Sequence, residues 1–251
     1  MLRVLGTIPP TGFLLLAIFS FQLGSVLAIH LFSTLGPSGT VFLRVAFGAA
    51  LVAIAALPVF NKTLTDHAGL ILLLGLVIAV QNFFFFHAIA RIPLGTAVTI
   101  EFLGPLGVAV INSRRPVDFL WVALAGAGLG LLTPDIGAGL DPLGVLFAAI
   151  TGCAWASFIL TGVRVGRTFP SGSGLSPAMI VAAMVLIPCS EFSGAILLAA
   201  SAVVVAVLAV AILSTTIPTV LFYHLFRLIT SRINRCEFVF SFAVYNHTFM
   251  F

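Results

Sequence analysis

Glu101 lies in LGTAVTIEFLGPLGVAV, from Leu94 to Val110, an apolar run with no other charge. The run is long enough to cross most of the ~30 Å hydrocarbon core of a bilayer. A carboxyl at that depth is costly, so such groups usually face a polar cavity and mark a route for a substrate or a proton. Two readings of Glu101 stand side by side. It binds a cationic amine or a proton, or it is protonated and hydrogen-bonded within a packed interface. Pro105 lies four residues later on the same helical face and removes the backbone donor that would bond the Glu101 carbonyl. With Gly104 it predicts a helix break, leaving a free carbonyl beside the carboxyl as a polar half-site.

Other polar residues stand in equally apolar surroundings. Gln81 and Asn82 are adjacent amides within a run that continues into Phe83 to Phe86. They need partners and are expected to face the bundle interior, as a site or as interhelical hydrogen bonds. Arg44 is the only basic residue within a span, either a structural anchor or a pore-facing partner. Trp155 is a candidate lining residue because its indole N–H wants an acceptor. Gln22, Ser25, Thr151 and Ser157 are polar-capable, but membrane Ser and Thr hydroxyls often bond the carbonyl four residues back. His30 and His87 read as packing or interface residues, with no second ligand at helical spacing to suggest a metal site. Cys153, Cys189 and Cys236 have no C-x-x-C spacing and are expected to pack as small buried hydrophobes. There is no nucleophile elbow, H-E-x-x-H or P-loop, and no cofactor or metal is implied. The chain does not read as an enzyme.

The elements that must position these residues follow from composition. The 251 residues are 61% hydrophobic and only 7% charged, against roughly 25% charged in a soluble domain. No globule of this size has an interior for that much apolar surface, so lipid must cover it. The apolar runs are continuous rather than alternating, which favours helices over a barrel. The fold class is therefore all-α, a polytopic transmembrane helix bundle. At about 20 apolar residues per span, helices are predicted near 11–32, 39–60, 68–90, 95–112, 117–133, 143–163, 176–191 and 196–222. Turn chemistry separates them, as at Leu35-Gly36-Pro37, Arg91-Ile92-Pro93 and Arg114-Arg115-Pro116. Gly126 and Gly130 form a G-x-x-x-G pair for close helix packing, within the chain first and in a homodimer as the alternative.

Charge gives the orientation. With alternating spans, Arg3, Lys62, Arg114, Arg115, Arg164, Arg167, Arg227, Arg232 and Arg235 share one side, opposite Arg91, Asp135, Asp141 and Glu191. That bias predicts a cytoplasmic N-terminus in the inner membrane, with the Arg164 and Arg167 loop inside. The net charge of +4 is scattered in ones and twos, which is no nucleic-acid signal. A faint repeat pairs Phe86 with Phe222, Arg91 with Arg227, and Glu101-Phe102 with Glu237-Phe238. In alternating spans the two copies run in opposite directions, the pattern of inverted-repeat transporters. The segment from Cys236 to Phe251 reads as an incomplete or interfacial piece.

These residues carry a family resemblance. AIARIPLGTAVTIEFLGPLGVAV, from Ala88 to Val110, resembles the fourth-helix region of EamA-type transporters of the drug/metabolite transporter superfamily, most closely the threonine/homoserine exporter branch. GTVFLRVAFGA, from Gly39 to Ala49, looks like that family's second helix, Arg44 included. The resemblance covers about residues 10 to 235. It implies an inner-membrane carrier of two inverted five-helix repeats, exporting small polar metabolites, amino acids among them, by proton antiport. Glu101 then matches the family glutamate, and Gly104 and Pro105 its glycine-proline. The repeats fall at 1–138 and 139–251, the second expected to be incomplete: the family has a glutamate-proline pair and two more full helices there, whereas Phe238 follows Glu237 and the sequence ends at Phe251. The expected partners are a small-molecule substrate and the lipid bilayer. The alternative function is a non-transporting, shortened relative of such carriers, or a membrane protein acting only by self-association.

Overall fold

The computed structural model describes residues 10–55, 62–112, 120, 123, 124, 127, 139–169, 174–190, 201–218 and 221. Among them there is no strand. The helices are α1 (Pro10–His30), α2 (Phe32–Ala55), the short α3 (Lys62–Asp66), α4 (Ala68–Ile89), α5 (Leu94–Asn112), α6 (Pro142–Thr168), α7 (Leu175–Leu186) and α8 (Ser201–Ala211). A 3₁₀ turn (Ile187–Cys189) follows α7, and a π turn (Ile212–Thr216) follows α8. Stretches within α2, α4 and α6 are each long and apolar enough to cross a membrane. Large apolar side chains such as Phe19, Ile54, Leu72, Leu103, Ile111 and Val205 point outward. In a bundle this apolar, that perimeter is what lipid covers, while helical hydrogen bonding satisfies the backbone. The protein is an all-α polytopic membrane bundle.

Seven of the expected spans meet an observed helix. Of the fifth, near 117–133, only Leu120, Ala123, Leu124 and Ala127 are described, all helical and exposed. Gly126 and Gly130 lie outside the described residues, as do Cys236 and the repeat partners Phe222, Arg227 and Glu237. The break predicted at Gly36 is real. Its φ of 67° and ψ of 169° interrupt α2, in a region that essentially only glycine occupies. Pro37 then opens the main helical run, where its missing N–H costs nothing.

Three expectations are corrected. First, α5 runs through Gly104 and Pro105 without a break. The bundle holds the helix across the lost hydrogen bond. The spare Glu101 carbonyl is packed on α6, lying 3.0 Å from where a Cβ on Gly152 would stand. Second, α6 extends to Thr168, so Arg164 and Arg167 sit on its last turns rather than in a loop. Both are exposed there, where a helix C-terminus favours cations. Third, Cys153 and Cys189 are exposed. A thiol is a small hydrophobe, and a membrane protein's outer surface is as apolar as its core, so burial did not follow from polarity.

The packing interleaves early and late helices. α4 lies along α6 and α7, α5 along α6, α2 along α7 and α8, and α1 along the π turn. Several close crossings depend on missing side chains. A Cβ on Gly104 would overlap the Gly152 carbonyl oxygen, so α5 and α6 meet backbone to backbone. A Cβ on Gly24 would stand 2.8 Å from the Ser214 amide nitrogen, which brings α1 onto the π turn. Small residues at such crossings let helices gain van der Waals contact where no hydrophobic force drives them together. At one end, Arg91 in the α4–α5 turn forms an ion pair with Asp141 at 2.9 Å. Asp141 also caps α6 by accepting from the Leu143 N–H at 3.0 Å. The hydrogen bond from Arg91 and the one from Leu143 hold the Asp141 carboxyl below the usual carboxylate range.

Candidate functional site

A cavity of ≈ 170 Å³ lies inside the bundle. At ~10–15 Å³ for each water it could hold, that is room for roughly ten waters, or for one small metabolite. Its walls are mostly apolar, with Phe21, Phe85, Phe102, Phe158 and Met179 among them. Into these walls are set polar groups from several helices. α2 supplies Arg44, α4 supplies Gln81 and Asn82, and α5 supplies Glu101. Trp155 comes from α6, Gln22 from α1, and Ser214 and Thr215 from the π turn. A mostly apolar cleft with a few placed polar groups is the usual form of a small-molecule site.

Helical spacing explains the gathering. Ile78, Gln81, Asn82 and Phe85 fall at i, i+3, i+4 and i+7 on α4, and Val98, Glu101 and Phe102 at i, i+3 and i+4 on α5. Each set is one face of a helix. Gln81 and Asn82 are close enough in angle to reach the same space and divide the work. Gln81 Nε2 donates to Glu101 Oε1 at 3.4 Å. Asn82 Nδ2 donates to the Ile78 carbonyl at 2.7 Å, which leaves its Oδ1 to accept from Arg44 Nη2. Arg44–Asn82 and Gln81–Glu101 are thus two separate polar pairs set side by side on α4, one holding a buried cation and the other a buried carboxyl.

Arg44 is 2% exposed and Glu101 is 3% exposed. The guanidinium is held over the Phe86 ring at 4.6 Å and the Phe21 ring at 5.5 Å. Such cation–π contacts strengthen when desolvated. Its Nε and Nη1 atoms have no hydrogen-bond partner among the described residues. Arg44 and Glu101 form no direct ion pair. Each therefore keeps capacity for a third party, Arg44 for an anion and Glu101 for a cation or a proton. Trp155 packs against Phe102, one residue after Glu101, with the rings tilted by 58° and centroids 4.9 Å apart.

Every polar residue predicted from the sequence as a site candidate (Glu101, Gln81, Asn82, Trp155 and Arg44) lines this one cavity. Gly104 and Pro105 do not line it; Gly104 forms the α5–α6 crossing, and Pro105 is buried. His87 is a packing residue, its Nδ1 on the Phe83 carbonyl at 2.8 Å and its Nε2 on Ser38 Oγ at 3.1 Å. Ser25, Thr151 and Ser157 bond the carbonyls of Phe21, Phe147 and Cys153. Ser214 and Thr215 were not foreseen as lining residues. The available signal was the polar cluster Ser214-Thr215-Thr216 before Pro218 in a long apolar run. No group of three or more potential metal ligands occurs among the described residues.

A polytopic bundle with a charged and amide-lined cavity buried among its spans has the construction of a small-molecule membrane transporter. No protein-family model matches the chain. It is 36% identical over 212 residues to the threonine/homoserine exporter RhtA of Escherichia coli (strain K12) and to RhtA of Salmonella typhimurium (strain LT2), matching 83% of this chain and 71% of each relative. The chain belongs to the family of RhtA threonine/homoserine exporters. A crystal structure 19% identical to it superposes with a TM-score of 0.59, covering 95% of this chain and 94% of that one. At that identity the likeness speaks to the fold alone.

Proposed function

We propose that the protein exports small amino acids of the threonine and homoserine kind across the inner membrane in exchange for protons. The observation that carries the reading is the placement of Arg44 and Glu101 in one cavity without a direct ion pair between them. A zwitterion has an anionic and a cationic end a few bonds apart. In this scheme the α-carboxylate accepts a charge-assisted hydrogen bond from one of the unpartnered Arg44 donors, Nε or Nη1. The α-ammonium binds Glu101, which Gln81 orients. Occupancy of Glu101 by a proton and by the ammonium is then mutually exclusive. Exclusive occupancy of one group by two ligands is the simplest basis for antiport, since each ligand stabilises the states in which the other is absent. Burial of both charges is consistent with such roles, because intramembrane ionisable residues mark substrate and ion paths. The exporters named among the relatives support the substrate class. The basic bias of Lys62, Arg114, Arg115, Arg164 and Arg167 supports a cytoplasmic N-terminus.

Proteoliposomes loaded with labelled threonine test the proposal. An inward-directed proton gradient should drive efflux in the wild type. Glu101→Gln keeps size and hydrogen bonding but cannot titrate, and should insert normally while losing gradient-driven efflux. Undiminished gradient-driven efflux from Glu101→Gln would remove Glu101 from the coupling.

A further inference from the structure

Thr215 and Gln22 give the cavity a second polar pole that neither the carboxylate nor the ammonium of a zwitterion uses. Hydroxyls in apolar helices normally return their hydrogen to the carbonyl four residues back. Thr40, Thr99, Thr151 and Ser214 all do so, to Gly36, Gly95, Phe147 and Val210. Thr215 does not. Its Oγ1 is buried and has no hydrogen-bond partner among the described residues. The local backbone there is a π turn. It widens the helix at Ile212–Thr216, and the Thr216 hydroxyl reaches five residues back, to the Ala211 carbonyl. Single π turns of this kind often sit at functional sites.

The Thr215 side chain is also held in place. A Cβ on Gly48 would overlap the Thr215 methyl and stand 2.7 Å from its Cβ, so the methyl and Cβ seat against bare backbone of α2. A β-branched side chain pinned by its methyl has little χ1 freedom left. The hydroxyl is therefore fixed while unspent. Gln22, from α1, presents an Oε1 that is likewise buried with no partner among the described residues. Both residues line the cavity that holds Arg44 and Glu101. The Ser176 hydroxyl is unpartnered too, but it does not line the cavity.

We propose that Thr215 and Gln22 form a subsite that recognises an alcohol on the substrate side chain and sets a preference for hydroxy-amino acids over their aliphatic isosteres. This rests on the reading of the cavity as an amino-acid site. A substrate hydroxyl donates to Gln22 Oε1 and accepts from the Thr215 O–H, so both buried groups are satisfied by one ligand atom. Valine, which carries a methyl where threonine carries the hydroxyl, leaves both unpaired. Sites built to hydrogen-bond a substrate hydroxyl reject the analogue lacking it far more strongly than apolar pockets reject an added one.

Equilibrium binding of threonine and valine to the purified full chain, in wild type, Thr215→Val and Gln22→Leu, tests the subsite. Thr215→Val keeps the branched shape and the seat against Gly48. Wild type should prefer threonine by about 100-fold or more. Each variant should shrink that ratio by roughly tenfold, by weakening threonine while valine binding holds or improves. Retained valine binding shows that a variant is folded. An unchanged threonine-to-valine ratio in both variants overturns the subsite. So does a loss of valine and threonine binding together in both, which would make the two residues structural. Wild type that binds both ligands equally refutes the subsite and leaves the amino-acid reading standing. Wild type that binds neither overturns that reading, and the subsite with it.

Discussion

Gly104→Ala adds one methyl at the tightest helix crossing near the cavity. The new Cβ would overlap the Gly152 carbonyl oxygen, and Gly152 C would stand only 2.6 Å away. Both obstacles are backbone, so no side chain can rotate aside. α5 and α6 must separate. Overpacking of this kind costs about 1–3 kcal/mol, and rigid obstacles place Gly104→Ala in the upper part of that range. The same methyl on Gly152 meets the Glu101 and Ile100 carbonyl oxygens at 3.0 and 3.3 Å. A relaxation of a few tenths of an ångström suffices there, and the cost should be about 1 kcal/mol. Gly162, on the same helix, has nothing within 4 Å of its added Cβ. Gly162→Ala should be neutral or stabilising by up to ~1 kcal/mol through helix propensity. Melting temperatures in detergent should therefore fall in the order Gly162→Ala, wild type, Gly152→Ala, Gly104→Ala. Each kcal/mol corresponds to about 2–4 °C for a chain of this size. Glu101 is three residues from Gly104 and Trp155 three from Gly152, so efflux should fall in the same order. Gly104→Ala melting with the wild type would refute the backbone-to-backbone crossing.

Other outcomes follow from the same geometry. Threonine should change the emission of Trp155, measured in a Trp121→Phe background; unchanged emission at saturating threonine would move the substrate away from that wall. Asp141→Asn keeps the α6 cap but loses the ion pair with Arg91. Because the folded carboxyl titrates below its ordinary range, its contribution is present above the unfolded value near 3.9 and is lost as pH falls through the folded one. Wild type and Asp141→Asn should differ slightly at neutral pH and converge in strong acid, as read by melting temperature against pH. Single-cysteine variants in a cysteine-free background should label from outside at Asp135 and not at Arg114; the reverse pattern would invert the proposed orientation.

Much of the fold was legible because lipid imposes a simple rule. Spans must be about 20 apolar residues long, and Gly36-Pro37 or Arg91-Ile92-Pro93 cannot continue a helix. Glu101, Arg44, Gln81, Asn82 and Trp155 were legible for the converse reason, since polar groups in apolar runs must meet one another. Hydropathy says nothing about which glycines touch. Gly104 and Gly152 lie on different helices, and only the assembled bundle shows that Gly104 serves a crossing and not a break. Thr215 was hidden because a threonine in an apolar helix ordinarily satisfies itself, and no periodicity announces a π turn. Cys153 and Cys189 were misplaced because, within a membrane, an apolar residue has no preference between core and perimeter.

The central claim is that Arg44 and Glu101 hold the two charges of one amino acid. Binding of threonine, its methyl ester and its N-acetyl derivative to wild type, Arg44→Met and Glu101→Gln tests it most directly. Wild type should lose about 2–5 kcal/mol of affinity when either charge of the ligand is removed, because a buried partner is left unpaired. Arg44→Met should no longer distinguish threonine from the methyl ester, while still rejecting the N-acetyl derivative. Glu101→Gln should no longer distinguish threonine from the N-acetyl derivative, while still rejecting the ester. Losses that simply add, each ligand change costing the same in every protein, would contradict the assignment of these two residues to the two ends of the substrate.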